Sequence, residues 1–204
     1  AAQVLEDPRL DFNPFELYGG VGAKFDISKG YIVVMQHPVT NEYEASRENI
    51  VKCLEAVHKM GLPTLWFWPN VDAGSDGTSS GIRHFRENNN IEHIHFFKNL
   101  KPTDFLKLLY NADCLIGNSS VGIRECAYLG VPVVNVGTRQ NKRMRAENVI
   151  DCSYEQEDII AACQKHFDQD RPKSSLIYGD GTSGEKIADV LSTIELRFHK
   201  TICY

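Results

Sequence analysis

A chain of 204 residues is long enough to bury a sizeable core, as one large α/β domain or two small ones. An apolar fraction of 42% and a charged fraction of 24% are ordinary for a globular protein and exclude a disordered, collagenous or membrane-spanning chain. The 22 Lys+Arg against 27 Asp+Glu leave a net charge of −5, which excludes a global basic field for nucleic acid but allows a local anion pocket.

Residues 1–30 are rich in breakers, with Pro8, Pro14 and Gly19-Gly20-Val21-Gly22, and read as a linker or irregular arm. The run Tyr31–Met35 is continuously apolar with β-branched content, as in a strand buried on both faces. A helix is expected from about Glu42 to Met60, with Ile50, Leu54 and Val57 on one stripe. Further strands are predicted at Thr64–Trp68, His93–Phe96, Cys114–Ile116 and Val131–Val136. Helices are predicted between them over Gly81–Glu87, Pro102–Tyr110 and Val121–Leu129. A last helix, from about Gly184 to Leu196, carries Ile187, Val190, Leu191 and Ile194 at helical spacing. Strands alternating with helices imply βαβ units, so 31–182 is expected to form a Rossmann-like, doubly wound parallel sheet and 183–204 a C-terminal helix and tail.

Cys53, Cys114, Cys126, Cys152, Cys163 and Cys203 form no CxxC pair, and four of them sit among apolar neighbours, as reduced thiols in a cytoplasmic protein would. No run approaches the roughly 18 apolar residues of a spanning helix, and no signal peptide is visible. The chain opens on Ala1 rather than Met, as a trimmed sequence would. His93 and His95 alternate and are expected on one strand face, without a carboxylate or cysteine at ligand spacing, so no metal site is expected. Gly179–Gly184 resembles a phosphate loop but lacks the Walker lysine, and reads instead as the start of the last helix, with Ser183 or Thr182 as cap.

Ligands of such sheets bind beyond the carboxyl ends of the strands. The strongest signal there is Gly117-Asn-Ser-Ser-Val-Gly-Ile-Arg-Glu125, a small-residue turn from a buried strand into a helix. Backbone N–H groups and the hydroxyls of Ser119 and Ser120 can meet a phosphate there, and Glu125 is placed for the two hydroxyls of a ribose. The competing reading makes Ser119 a helix cap and Glu125 a solvated surface residue. The spacing is not the dinucleotide fingerprint, so no nicotinamide cofactor, and no other cofactor, is expected.

The motifs Gln36-His-Pro-Val-Thr40, Pro69-Asn-Val-Asp-Ala-Gly-Ser75 and Asn118-Ser-Ser-Val-Gly-Ile-Arg-Glu125 resemble the hydrolysing UDP-N-acetylglucosamine 2-epimerases. Gly137-Thr-Arg-Gln140, Glu147-Asn148 and Tyr178-Gly-Asp-Gly181 extend the likeness, which runs over about residues 30 to 196. It is nearest to the bacterial sialic-acid-pathway branch and to the epimerase half of the animal bifunctional epimerase/kinase. The resemblance implies the C-terminal, UDP-binding half of a two-domain, glycosyltransferase-B-type fold, with the main carboxylate acid/base candidates on the absent first half. It implies conversion of UDP-N-acetylglucosamine and water to N-acetylmannosamine and UDP, by elimination of UDP and then hydration. His37 matches a histidine near phosphates and sugar, and Asn70 a substrate-contacting asparagine; these are the catalytic candidates in this half. Ser119, Ser120 and Glu125 match phosphate and ribose contacts, Arg139 matches a motif position whose guanidinium can reach the nucleotide, Lys98 flanks the uracil end, and Asn99 is counted among the UDP-binding residues. From the residues alone, His37 could instead be packed beside Pro38, Asn70 could shape its turn, and Arg139 could pair with Glu147. Arg83 and Arg86 read as a solvated helix face.

The expected partners are UDP, UDP-N-acetylglucosamine, the absent N-terminal half and further copies of the chain in a homo-oligomer, with neither nucleic acid nor membrane. The rival readings are a B-type glycosyltransferase, an epimerase for a diacetamido sugar, and a nucleotide-sugar-binding module without chemistry.

Overall fold

A computed structural model describes residues 1–195. Cys203 and Leu196, the expected last residue of the C-terminal helix, lie outside the described residues. In chain order the elements are α1 (Ala2–Glu6), α2 (Pro14–Leu17), β1 (Val21–Gly22), β2 (Ile32–Met35), α3 (Ser46–Met60), β3 (Thr64–Phe67), α4 (Ser75–Asn88) and β4 (Ile94–Phe97). They continue as α5 (Pro102–Asn111), β5 (Cys114–Gly117), α6 (Ser120–Ile123), α7 (Glu125–Leu129), β6 (Val133–Val136), β7 (Val149–Cys152), α8 (Gln156–Phe167) and α9 (Ser183–Thr193).

The seven strands form one sheet in the order β1-β4-β3-β2-β5-β6-β7, with only the β1–β4 pair antiparallel. The parallel part runs outward in both directions from the β2–β5 pair, so the strand order reverses there. Alternation along the strands splits the core into two layers. Ile32, Val34, Trp66, Ile116 and Val134 face Ile50, Leu54, Val57, Ile82 and Ile159 of α3, α4 and α8. Tyr31, Val33, Leu65, Phe97, Leu115 and Val133 face Leu108 and Leu109 of α5, Leu129 of α7 and the N-terminal segment. This is the expected Rossmann-like, doubly wound α/β architecture.

The structure departs from the sequence reading in several places. Residues 1–30 pack onto the sheet instead of trailing as an irregular arm. Pro14 sits in the first turn of α2, the Asn13 side chain accepts the Phe15 and Glu16 N–H groups, and Val4 and Phe15 are buried. A β-carbon at Gly22 would collide with the Ile94 carbonyl, so the glycines that suggest a linker instead allow β1 to lie against β4. Both ring nitrogens of His95 lie 2.8 Å from carbonyl oxygens of this segment, those of Ala23 and Gly19. His93 and His95 do not share a face, because β4 begins at Ile94 and the His93 ring stacks on His58 of α3 at 5.2 Å.

The helix expected from Glu42 starts at Ser46, preceded by a 3-10 segment at Thr40–Ala45. Gly81–Glu87 do lie in a helix, α4, which begins at Ser75 in a run of Ser, Gly and Thr with low intrinsic propensity. Tertiary packing against α3, through Thr78, Ile82 and Phe85, overrides that propensity. The helix expected over Val121–Leu129 is broken at Arg124 into α6 and α7. Strand β7 and helix α8 are absent from the sequence reading; β7 is a half-exposed edge strand, although Ile159, Ala162, Cys163 and His166 of α8 do follow helical spacing. Thr182 does stand at the N-cap of α9, but its side chain accepts no N–H; the Asp180 carboxylate accepts the Thr182 N–H at 2.9 Å instead.

Every residue of α9 is exposed, including the stripe Ile187, Val190 and Leu191. The five cysteines among the described residues are unpaired, and burial pushes Cys152 up to about 12 and also raises the Cys53, Cys114 and Cys126 thiols. No helix among the described residues is long and apolar enough to cross a membrane.

The packing of residues 1–30 has a measurable consequence. Replacing Phe15, which meets Phe25, His95 and Phe97, by Ala should cost about 3–5 kcal/mol in urea unfolding. A cost near zero would make the segment a loose linker after all.

Candidate functional site

The crevice of a doubly wound sheet opens where the strand order reverses, here beyond Met35 of β2 and Gly117 of β5. The residues that follow are Gln36-His37 and Asn118-Ser119-Ser120. Asn118 is fully buried and its carboxamide spans the crevice floor. Its Oδ1 accepts the His37 backbone N–H at 2.8 Å, and its Nδ2 donates to the His37 carbonyl at 2.8 Å. Gly117 has φ +132°, and a β-carbon there would collide with the Met35 carbonyl, so glycine alone lets the two strands end so close together. The Asn118 carbonyl accepts Gln140 Nε2 at 2.7 Å and Arg139 Nη1 at 3.3 Å, which brings the loop after β6 onto the same point.

The expected site residues divide into two groups. His37, Asn70, Ser119, Ser120 and Arg139 converge on the crevice. The His37 Nδ1 accepts the Asn70 backbone N–H at 3.2 Å, so the ring proton is on Nε2, which has no protein partner among the described residues. Asn70 thus contributes through its backbone and keeps an exposed side chain. Ser119 does cap α6, accepting the Val121 N–H at 3.4 Å, and its hydroxyl proton remains available to donate. Arg139 pairs with Asp72 at 3.3 Å and not with Glu147.

Lys98 and Asn99 are not part of this cluster. They follow β4, which is separated from β5 by β3 and β2, and Asn99 Oδ1 accepts the neighbouring Leu100 N–H. Glu125 begins α7 beyond the break at Arg124, half-buried, with the Arg124 guanidinium 3.9 Å away. Because α6 is only four residues long, its dipole is that of a single turn. Attraction for an anion must come chiefly from Arg139 and from hydrogen-bond donors. Arg83 is exposed, whereas Arg86 lies over the Phe96 ring at 5.0 Å.

Glu42 ties the surrounding loops together, accepting the Thr138 hydroxyl and, at 2.9 Å, the Tyr154 hydroxyl. It stands between the loops that follow β2, β6 and β7, and burial together with Glu42 raises the Tyr154 phenol above its ordinary value.

The sequence profile described as UDP-N-acetylglucosamine 2-epimerase matches residues 18–192. The chain belongs to the UDP-N-acetylglucosamine 2-epimerase family. It is 32% identical over 174 residues to a Legionella pneumophila UDP-N,N'-diacetylbacillosamine 2-epimerase (hydrolyzing), covering 84% of this chain and 45% of that protein. It is 29% identical over 170 residues to a Neisseria meningitidis UDP-N-acetylglucosamine 2-epimerase, covering 82% of this chain and 44% of that one. Its fold superposes on the Methanocaldococcus jannaschii UDP-GlcNAc 2-epimerase in complex with UDP-GlcNAc and UDP with a TM-score of 0.67, at 20% identity over 94% of this chain and 51% of that chain. The Neisseria meningitidis enzyme bound to UDP-GlcNAc gives 0.66, at 15% identity over 94% of this chain and 50% of that chain. This family member therefore spans about half the length of the relatives it matches.

Within the family member's crevice, charge and burial set the state of the imidazole. Burial lowers His37, Arg139 lowers it further and Asp72 partly opposes them, leaving it at about 4. His37 is therefore neutral near pH 7 and acts as an Nε2–H donor, not a cation. Asp72, Glu42, Gln140 and the clamping side chain of Asn118 carry no role in the sequence reading. Asn118 and Asp72 lie inside motifs quoted for their neighbours, and their polar position just past a strand end is the one signal that points to them.

A histidine whose folded-state value is depressed leaves the unfolded chain holding more protons between about 6.5 and about 4. Stability should therefore fall as pH falls through that window, with His37 contributing up to about 3 kcal/mol. Burial also lowers His93 and His166, so they add to the slope in the same direction. His37→Asn keeps the backbone clamp and should show a visibly smaller drop in urea midpoint from about pH 7 to about pH 4. Equal drops in the two proteins would remove His37 from the acid response.

Proposed function

We propose that this chain is the C-terminal, UDP-binding half of a hydrolysing UDP-N-acetylglucosamine 2-epimerase. The observation that carries this reading is that His37 after β2, the Ser119-Ser120 turn after β5 and Arg139 after β6 are gathered at the β2–β5 crevice, His37 and Arg139 both through Asn118. These residues supply the donors that a leaving diphosphate requires. In the proposed reaction a base removes the proton on carbon 2 while the bond from carbon 1 to the UDP oxygen breaks, giving a glycal and UDP. Water then adds its hydroxyl at carbon 1, and carbon 2 is reprotonated from the opposite face, giving N-acetylmannosamine.

His37 donates to the departing diphosphate, and Arg139, Ser119 and Ser120 hold its oxygens. Glu125 accepts the ribose hydroxyls, Asn70 contacts the sugar, and Lys98, outside the phosphate cluster on the loop after β4, flanks the uracil end of the ligand, with Asn99 beside it. The acid and base at carbon 2 belong to an N-terminal half, the partner that closes over the sugar. Unpaired thiols and a nucleotide-sugar substrate fit a cytoplasmic setting, and the assembly is read as a homo-oligomer. A second reading keeps the site and changes the sugar: the 32% identity to an enzyme named for UDP-N,N'-diacetylbacillosamine favours a diacetamido substrate as the alternative.

Calorimetric titration should show UDP binding at least about tenfold tighter than NAD; equal affinities would sink the nucleotide assignment. Glu125→Gln should weaken UDP by about 1–3 kcal/mol and affect a 2′,3′-dideoxy analogue much less. The same loss with both ligands would place Glu125 in the fold instead of against the ribose. In a coupled assay the chain alone should release no UDP from UDP-N-acetylglucosamine, with release appearing when an N-terminal half is added. Turnover by the single chain would overturn the two-half reading.

A further inference from the structure

We propose that Asp72 is a built-in competitor of the ligand: its carboxylate holds the Arg139 guanidinium and is exchanged for the ligand's diphosphate, which sets how tightly the crevice retains an anion. The inference rests on the reading of the crevice as a diphosphate site. Arg139 is anchored at two separate atoms. Nη1 donates to the Asn118 carbonyl on the crevice floor at 3.3 Å, and Nη2 meets Asp72 Oδ2 at 3.3 Å. The first contact fixes the side chain over the crevice, so the second can be handed over without moving it.

The Asp72 contact is suited to exchange. It uses one carboxylate oxygen on one guanidinium nitrogen and not the parallel two-bond fork that makes such pairs strong. The carboxylate is 42% exposed, which weakens the pair further through solvent screening. The backbone does not depend on it either, because the turn is closed by the Ser75 N–H on the Asp72 carbonyl at 2.9 Å. Asp72 is the only acidic side chain paired with Arg139 among the described residues, and its loop also presents the Asn70 N–H to His37. A diphosphate that reaches His37 and Arg139 together therefore meets the Asp72 negative charge and must displace it from Nη2. A competitor of this kind keeps product affinity low enough for a diphosphate to leave.

A residue that merely positioned Arg139 would lower anion affinity when removed. The competitor predicts the opposite sign. Asp72→Asn retains a carbonyl oxygen for Arg139 and removes the charge. Inorganic pyrophosphate, titrated calorimetrically into the purified chain, should bind D72N about threefold or more tighter than wild type, with UDP shifted equally and uridine unmoved. Asp72→Ser, a second way to remove the charge, should move pyrophosphate in the same direction. The gain should vanish in the Arg139→Gln background, because the exchange acts through the guanidinium. Unchanged, weaker or absent pyrophosphate binding by D72N and D72S, or a gain that survives Arg139→Gln, overturns the proposal. Failure of the nucleotide reading looks different: UDP then binds no tighter than pyrophosphate on every variant, while the comparison of wild type with D72N is unaffected.

Discussion

The crevice depends on one buried carboxamide. Asn118 pairs through its side chain with both backbone polar groups of His37, so the ends of β2 and β5 are held at a fixed separation. Its own carbonyl gathers Gln140 and Arg139. A side chain of this shape satisfies a donor and an acceptor at once, which is what a strand end in a water-free position needs. An aspartate would offer acceptors only and leave the His37 carbonyl without its donor; a leucine would strand both groups. Asn118 thus fixes the backbone geometry on which the His37 ring and the Arg139 guanidinium are hung.

The electrostatics follow from the same packing. The chain is acidic overall, yet the crevice has a neutral imidazole and a guanidinium half-answered by Asp72. Recognition of an anion here is local and donor-based, because the broken α6–α7 helix supplies little dipole and the net charge opposes long-range attraction. A burial-depressed His37 has the further merit that its hydrogen-bonding role does not change with small shifts of pH around neutrality.

What was legible in the sequence was whatever a single run of residues encodes. The buried strands at Ile32, Leu115 and Val134 announce themselves by β-branched apolar runs, and the loop sequences after them mark the site. Glu42, Asp72 and the Asn118 side chain were not legible as site residues, because their roles are relations between loops distant in the chain. The N-terminal segment misled for a related reason. Its prolines and glycines describe local irregularity faithfully, but the burial of Val4 and Phe15 depends on β4 and α5, which lie far along the chain. The first turns of α4, before Gly81, are illegible for the same reason, since these weak helix formers are held by α3.

The clamp also joins residues 81 positions apart. The β2–β5 pairing can form only after the intervening strands and helices have been brought round, so it carries the loop-closure cost of the whole first half of the sheet. Each half of the sheet carries only part of the donor set: the unit from β2 to β4 holds His37 and the Asn70 N–H, and the unit from β5 to β7 holds Ser119, Ser120 and the Arg139 that rests on the Asn118 carbonyl. The two parts come to face one another only at the step in folding where the two halves of the sheet meet.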